Sequence, residues 1–319
     1  MPVFEQLRRD MVASKLYVSW RPNVQTQQGQ RRSRWKGEGG EHADVRPYRP
    51  GDRVTQINQK MRAKDPSRLY VNLFESEQKV IFTLVVDVGP TMKTGTQRLN
   101  KVELATVLAG SILNSAKCTG DLGRMISFDN RRVYRTLRPM CAGKLSHWAV
   151  PALLSPDVEH STAGGGFSAA SGSIGLQKSL VCIISDFRLW GQKDWEALAK
   201  VSRRHQVVCF VVHDLREAQL PDEPLLPGLP FLPGIFDVQG PDGKNRLVFA
   251  TQANRAAVAS SFAERQQNLQ LRFAESGCKW CTFCTGESSD ELRAHQLSVF
   301  RSQRPGGCLD ADYRSGGSP

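Results

Sequence analysis

The pattern of apolar residues along this chain changes near residue 80. Three near-continuous apolar runs follow that point: IFTLVVD (81–87), KSLVCIISDF (178–187) and QVVCFVVHD (206–214). Such runs are typical of strands buried on both faces of a parallel sheet. Residues 100–118 and 192–205 have the helical spacing of apolar positions. This alternation of strands and helices predicts an α/β fold with a doubly wound, mainly parallel sheet.

The chain before residue 80 is more polar. Residues 4–18 have apolar positions that predict a short amphipathic helix, and RLYVNLFES (68–76) alternates like a strand. Prolines concentrate between residues 219 and 246, which predicts an irregular surface loop there. We divide the chain into four predicted parts: a polar N-terminal segment with a short helix (1–32), a β-rich subdomain (33–80), the α/β domain (81–300) and a flexible tail (301–319).

The charge and apolar content restrict the classes of partner and location. The formal net charge is +12, which favours acidic proteins, nucleic acid or anionic lipid as partners. The aromatic and basic interleaving of single-strand stacking platforms is absent, so we expect no specific nucleic acid. No window approaches eighteen consecutive apolar residues and no secretory signal is evident, so we expect a cytoplasmic protein without a transmembrane segment. Peripheral membrane association stays open.

The eight cysteines do not predict a disulfide framework, because no export signal accompanies them. Cys278, Cys281 and Cys284 are spaced C-x2-C-x2-C. On a strand this spacing turns Cys278 and Cys284 to one face and Cys281 to the other, which does not suit a single ion. A structural role is therefore favoured, and the role of this cluster stays open.

Three of the predicted strands are followed by an acid: Asp87, Asp186 and Asp214. In a doubly wound sheet the functional crevice lies beyond the carboxyl ends of the strands, so we expect these acids near one another. The chain contains no G-x-S-x-G, H-E-x-x-H or Walker A pattern. A nucleophilic or phosphate-binding active site is therefore not predicted.

The segment GEGGEHADVRPYRPGDRVTQIN (37–58) contains a turn at Pro50-Gly51, and the side chain of Asp52 can cap it. Together with LVVDVGPTM (84–92) and VCIISDF (181–187), this segment resembles the domain-of-unknown-function 58 family. The resemblance covers roughly residues 30–290, and the chain is identified as a divergent member. The resemblance implies a von Willebrand factor A-like domain and a MoxR-type AAA+ ATPase as partner, the pair acting on client proteins during their maturation or assembly.

The same resemblance implies a metal-ion-dependent adhesion site, in which carboxylate and hydroxyl oxygens hold Mg²⁺. The matching positions are Asp87, Thr91 and Asp186. Gly89 replaces a serine, and Gly165-Gly166-Phe167 replaces a loop that should carry a threonine, unless Ser168 or Thr162 substitutes for it. We therefore expect a degenerate site with Mg²⁺ as a candidate cofactor. The residues expected to bind the partner are Ser168, Arg46, Arg49, Asp52 and Arg53.

Two functional hypotheses follow. The first is a non-enzymatic protein-interaction module that works with the ATPase through the degenerate site and the 33–64 segment. The alternative is a metal-dependent hydrolase that uses Asp87, Asp186 and Asp214 to activate a water. No histidine or further acid stands next to Asp87 in the sequence, so we expect no enzymatic activity.

Overall fold

The computed structural model describes residues 7–12, 36–50, 52, 57–64, 68–75, 80–129, 131–154, 162–163, 166–220, 235–239 and 245–302. Its strands are β1 (Lys36–Pro47), β2 (Tyr70–Glu75), β3 (Ile81–Asp87), β4 (Leu122–Phe128), β5 (Arg132–Cys141), β6 (Thr162–Ala163), β7 (Leu180–Ser185), β8 (Gln206–His213), β9 (Ile235–Gln239), β10 (Asn245–Phe249) and β11 (Lys279–Cys284). Its helices are α1 (Gln59–Lys64), α2 (Lys101–Cys118), α3 (Ala142–Leu154), α4 (Gly166–Ser171), α5 (Gln192–Ser202), α6 (Leu215–Ala218), α7 (Gln252–Ser276) and α8 (Ser289–Ser302).

The main sheet has the strand order β11-β8-β7-β3-β4-β5-β6. The first five strands of this order run parallel, and β5 and β6 are antiparallel additions at one edge. The chain enters at β3 in the middle, moves outward through β4, and then returns to the other side of β3 through β7. This order confirms the predicted α/β fold with a doubly wound, mainly parallel sheet.

The central strands are apolar because both faces of the sheet are covered. All seven residues of β3 and all six of β7 are buried. One face packs against α2, α3 and α8, and the other against α4, α5 and α7. Helix α2 begins with a capping box, in which the side chain of Asn100 accepts from the backbone N–H of Glu103 and the Glu103 carboxylate accepts from the Asn100 N–H. This cap fixes the start of α2 at the rim of the sheet.

Two parts of the chain before residue 80 are described. Residues 7–10 are helical and join the main core, since Leu7 is buried and Asp10 pairs with Arg98 at 2.6 Å. Strands β1 and β2 form a separate antiparallel ribbon, consistent with a small β-rich subdomain. The four predicted domain boundaries stay a prediction. Most of segment 1–32 and the tail beyond residue 302 lie outside the described residues.

Two elements depart from the sequence-based expectations. Strands β9 and β10 pair as an antiparallel hairpin, so the irregular loop expected over 219–246 is wrong for its second half. The prolines that suggested a loop all precede residue 235 apart from Pro241, which lies between the two strands and outside the described residues. Helix α1 was also missed, because its six residues are too few to show a helical period; Asn58 caps it by accepting from the Met61 N–H at 3.0 Å.

A buried histidine predicts a pH dependence of stability. His205 is 6% exposed, and its Nδ1 accepts from the backbone N–H of Ser179 at 3.2 Å. Burial first, and then the nearby guanidinium groups of Arg204 and Arg124, lower the pKa of His205 from its ordinary value of 6.5. The unfolded chain therefore takes up this proton at a higher pH than the folded chain does. The stability that the neutral ring contributes is complete above about pH 6.5 and is lost as the pH falls below it.

We expect His205→Gln to reduce the loss of unfolding free energy between about pH 7.5 and pH 5. Urea unfolding at several pH values measures this slope. The matched control is His147→Gln, since His147 is exposed, and it should keep the wild-type slope. Equal slopes for wild type and His205→Gln would contradict the prediction.

Candidate functional site

The carboxyl ends of β3 and β7 meet at the point where the order of strands reverses. The two strands are hydrogen-bonded neighbours, with Val86 opposite Ile184. Asp87 ends β3, and Asp186 directly follows β7. The hydroxyl of Ser185 donates to Asp87 Oδ2 at 2.7 Å, which ties the two strand ends together. The structure thus brings the two predicted acids to one crevice, the usual place for a ligand site in this kind of sheet.

Asp87 is buried and lies close to other acids. Its Oδ1 accepts from the backbone N–H of Gly89 at 2.8 Å, and its side chain is otherwise held by Ser185. Burial first, and then the negative charge of Asp186, raise the pKa of Asp87 to about 7. The hydrogen bonds from Ser185 and Gly89 oppose this rise without cancelling it. Asp87 therefore holds its proton more strongly than an ordinary carboxyl group does.

Gly89 and Thr91 lie close to Asp87 in the structure. A Cβ atom at position 89 would lie 3.0 Å from Asp87 Oδ1 and 3.4 Å from the Cβ of Asp129. The glycine therefore allows the backbone to approach the carboxylate closely. Thr91 is buried at 2% exposure within a short 3-10 helix (Pro90–Lys93), and it lines a small cleft beside Asp87.

Asp186 faces a different set of partners. The ammonium group of Lys101 lies 2.9 Å from Asp186 Oδ2 and 2.7 Å from Glu217 Oε1, and the Lys101 side chain is completely buried. Burial acts to raise the pKa of Asp186, but the Lys101 ammonium, together with Arg265 and the Arg188 N–H, outweighs it and the pKa is lowered. Asp186 is therefore an ionised carboxylate in a buried ion pair, in contrast to Asp87.

Two arginines extend this pair into a network. Glu217 Oε2 lies 2.9 Å from a guanidinium nitrogen of Arg188 and 3.4 Å from one of Arg265. Arg265 also donates to the carbonyl oxygen of Asp186. We call Lys101, Asp186, Arg188, Glu217 and Arg265 the rim network. Arg188, Glu217 and Arg265 also line a cavity of about 690 Å³ beside α7, so the network can be reached from outside.

The basic members of the network and Glu217 were not anticipated from the sequence. One signal was present at Lys101, which stands at the first turn of an otherwise apolar helix. A positive charge at a helix N-terminus opposes the helix dipole, so a buried lysine there needs acidic partners. Those partners, Asp186 and Glu217, lie 85 and 116 positions away, and no local pattern identifies them.

The backbone after β7 is also unusual. Phe187 has a φ of 54°, in the left-handed region that residues with side chains rarely adopt. Its N–H donates to the Ser185 hydroxyl at 2.9 Å, and its ring packs against Trp190 at 4.6 Å between centroids. The surrounding contacts hold this strained turn directly after Asp186.

Ser168 makes its hydrogen bonds with residues other than Asp87. It is exposed in α4, and its backbone N–H donates to Asp194 Oδ1 at 2.8 Å. The neighbouring Phe167 is fully buried, lines the cleft beside Asp87 and stacks on Trp190 at 4.8 Å. A phenyl ring therefore stands beside the cleft where the family site was expected to place a threonine. Thr162 lies in the short strand β6, and the loop at 164–165 lies outside the described residues.

These donors do not match the octahedral oxygen cage that Mg²⁺ requires. Asp186 is bonded to an ammonium group, Gly89 offers no hydroxyl, and Phe167 is apolar. Among the residues that the structure describes, no three histidine, cysteine or acidic side chains are grouped as metal ligands. Asp87, Thr91 and Asp186 as Mg²⁺ ligands thus stay a prediction that the donor chemistry does not support.

Asp214, the third strand-end acid, belongs to a separate hydrogen-bonded group. Its carboxylate accepts from the N–H of Thr96 at 2.8 Å, from the Thr96 hydroxyl and from the Thr285 hydroxyl at 2.9 Å. Burial acts to raise its pKa, but these hydrogen bonds outweigh it and the pKa is lowered. Asp214 thereby connects the loops that contain Thr96 and Thr285 to the end of β8. Its hydrogen-bonded group is separate from that of Asp87.

The Arg-Pro-Gly-Asp turn (residues 49–52) is closed by hydrogen bonds to the side chain of Asp52. Arg46 forms two hydrogen bonds with Asp52, at 2.7 and 2.6 Å, and Asp52 also accepts from the Arg49 N–H at 2.8 Å. The Asp52 side chain thus caps the turn as predicted. Arg46 is held by this contact, whereas Arg49 is exposed. Arg53 lies outside the described residues.

The cysteines on and beside β11 point to opposite faces of the sheet, as the strand period predicts. Cys278 packs with Cys209 in the cluster on one face, and Cys281 packs against the cluster on the other. Burial raises the pKa of Cys284 to about 11. The cysteines in the described ranges carry free thiols.

Comparisons with known proteins place the chain in a family. The model of the family described as "Protein of unknown function DUF58" matches residues 44–268. The uncharacterized proteins Mb1516 of Mycobacterium bovis and Rv1480 of Mycobacterium tuberculosis are each 26% identical over 193 residues, which is 58% of this chain. The match spans 59% of the length of these curated relatives.

Several solved structures are similar at low identity. BatB from Bacteroides thetaiotaomicron is 15% identical with a TM-score of 0.41, and the match covers 70% of this chain and 98% of BatB. A von Willebrand factor type A protein from Catenulispora acidiphila is 8% identical with a TM-score of 0.34, covering 72% of this chain and 44% of that one. Within the described residues, none of the helices combines the length and apolar content needed to cross a bilayer.

The rim network predicts a specific loss of stability. We expect Glu217→Gln to lower the unfolding free energy by about 3 kcal/mol, because it removes a carboxylate shared by buried cations. Urea unfolding near neutral pH measures this change. Glu196→Gln is the matched control, since Glu196 is exposed on α5, and it should change stability by no more than about 0.5 kcal/mol. Similar small effects of both substitutions would contradict the prediction.

Proposed function

The chain belongs to the DUF58 protein family, and from that premise we propose that it is a non-enzymatic protein-interaction module. It works with a MoxR-type AAA+ ATPase in the maturation or assembly of client proteins. We place this activity in the cytoplasm as part of the same proposal. The partner is proposed to bind the loops around the crevice of β3 and β7 and the Arg-Pro-Gly-Asp turn.

The interactions of Asp87 and Asp186 are the observation that most directly supports a role in protein binding. Asp186 is neutralised by Lys101, and Asp87 is held by Ser185 and Gly89. A general base needs a free carboxylate or imidazole within reach of a substrate proton. Asp186 is committed to its ion pair with Lys101, so the crevice does not offer the two free carboxylates of a paired-acid site, and this favours a preformed surface.

Two exposed positions offer contact points for a partner. Ser168 lies on α4 beside the crevice, and Arg49 lies at the Arg-Pro-Gly-Asp turn. The formal net charge of +12 favours an acidic partner surface and an association rate that falls with added salt.

A metal-dependent hydrolase is the alternative function. It requires Asp87, Asp186 and Asp214 to converge on one activated water. Asp214 is instead engaged by Thr96 and Thr285, and Asp186 by Lys101. This arrangement favours the interaction module over the hydrolase.

Binding of a MoxR-type ATPase to the purified chain tests the proposal. We expect Arg49→Glu and Ser168→Glu each to weaken binding about tenfold, because each adds negative charge to a surface that faces an acidic partner. Biolayer interferometry at two salt concentrations measures the affinity and its salt dependence.

Arg203→Glu is the matched control. Arg203 is exposed between α5 and β8, at the amino ends of the strands and so at the opposite end of the sheet from the crevice. This variant should bind as the wild type does. Wild-type protein that fails to bind the ATPase would overturn the proposed function. Wild-type binding with equal affinities for all three variants would instead overturn the proposed surface.

A further inference from the structure

We propose that Lys101 is the built-in cation of this rim: its ammonium group holds the carboxylates of Asp186 and Glu217 together, at the end of the sheet where the fold's usual site employs a divalent ion. The rim then keeps its geometry without any metal. This inference concerns the chain itself and does not depend on which partner it binds.

The position of Lys101 is the first support. Its ammonium contacts Asp186, which follows β7, and Glu217, which lies in α6 after β8. One cation therefore joins the loops at the ends of two neighbouring strands. A metal ion at this rim would link strand-end loops in the same way, through carboxylate oxygens.

The depth of this contact is the second support. The side chains of Lys101, Asp186 and Glu217 are 0%, 1% and 3% exposed. A buried carboxylate requires a compensating charge or hydrogen bonds, and the ammonium supplies both to the two acids. The lysine is thus a built part of the site and not a surface residue that reached it by chance.

Electrostatic repulsion is the third support. A divalent ion bound to Asp186 would lie within about 5 Å of the Lys101 ammonium, where like charges repel strongly in a buried environment. Arg188 and Arg265 add two more positive charges around Glu217. Binding of the ion would require Lys101 to leave, and the Lys101 side chain is completely buried.

The two departures from the family's metal-site pattern fit this explanation. Gly89 lacks the hydroxyl expected of a serine, and Phe167 occupies the region of the expected threonine. Hydroxyl ligands serve a metal but are not needed when an ammonium donates its own hydrogen bonds.

Thermal unfolding of the wild-type chain tests the inference directly. We expect the Tm to change by less than about 1 °C between buffer with EDTA and buffer with about 10 mM Mg²⁺, Mn²⁺ or Ca²⁺ at matched ionic strength. Titration calorimetry with Mg²⁺ should give no saturable heat. A saturable heat together with a Tm rise of several degrees that EDTA reverses would overturn the proposal.

Lys101→Ala provides the second arm. We expect its Tm to fall by about 5 °C or more, and to recover in part when ethylammonium is added, because this cation can enter the vacated position through the adjoining cavity. Lys117→Ala, at the exposed end of the same helix, should show neither effect. A Lys101→Ala variant with the wild-type Tm would overturn the proposal, and if this variant does not fold, the wild-type titration alone decides.

Discussion

Two carboxyl groups side by side at the end of a buried parallel sheet are the constraint on which this structure depends. Desolvation penalises each charge, and the repulsion between Asp87 and Asp186 adds to that penalty. The chain meets it differently at the two positions. Asp186 gains a buried ammonium, whereas Asp87 gains hydrogen bonds and a pKa raised to about 7. The close backbone approach at Gly89 and the start of α2 at Lys101 both serve these two acids.

The fold was predictable to the extent that burial leaves a local pattern. Strands β3, β7 and β8 are covered on both faces, so their sequences are apolar without interruption and could be identified directly. The hairpin of β9 and β10 was missed because proline content outweighed a short alternating pattern. Helix α1 was missed because six residues are less than two turns. Each miss concerns a short element whose stability comes from tertiary contacts and not from its own sequence.

The candidate site was predictable only in part. The rule that parallel strands end at one edge placed Asp87 and Asp186 together, and the structure agrees. The partner of Asp186 was not predictable, since Lys101 is 85 positions from Asp186 and 116 positions from Glu217, the other acid it contacts. The family resemblance supplied the expected metal ligands. It could not reveal that the Asp186 carboxylate pairs with the ammonium group of Lys101. The difference between a metal site and an ion pair lies in contacts between distant residues.

The distance along the chain between Lys101 and its acids also has a consequence for the order of folding. The ammonium cannot meet Asp186 until β3, β4 and β7 have assembled, and it cannot meet Glu217 until β8 has joined them. Closing such long loops is slow and entropically unfavourable. A nascent chain therefore carries an unmatched lysine and unmatched acids until its sheet is nearly complete.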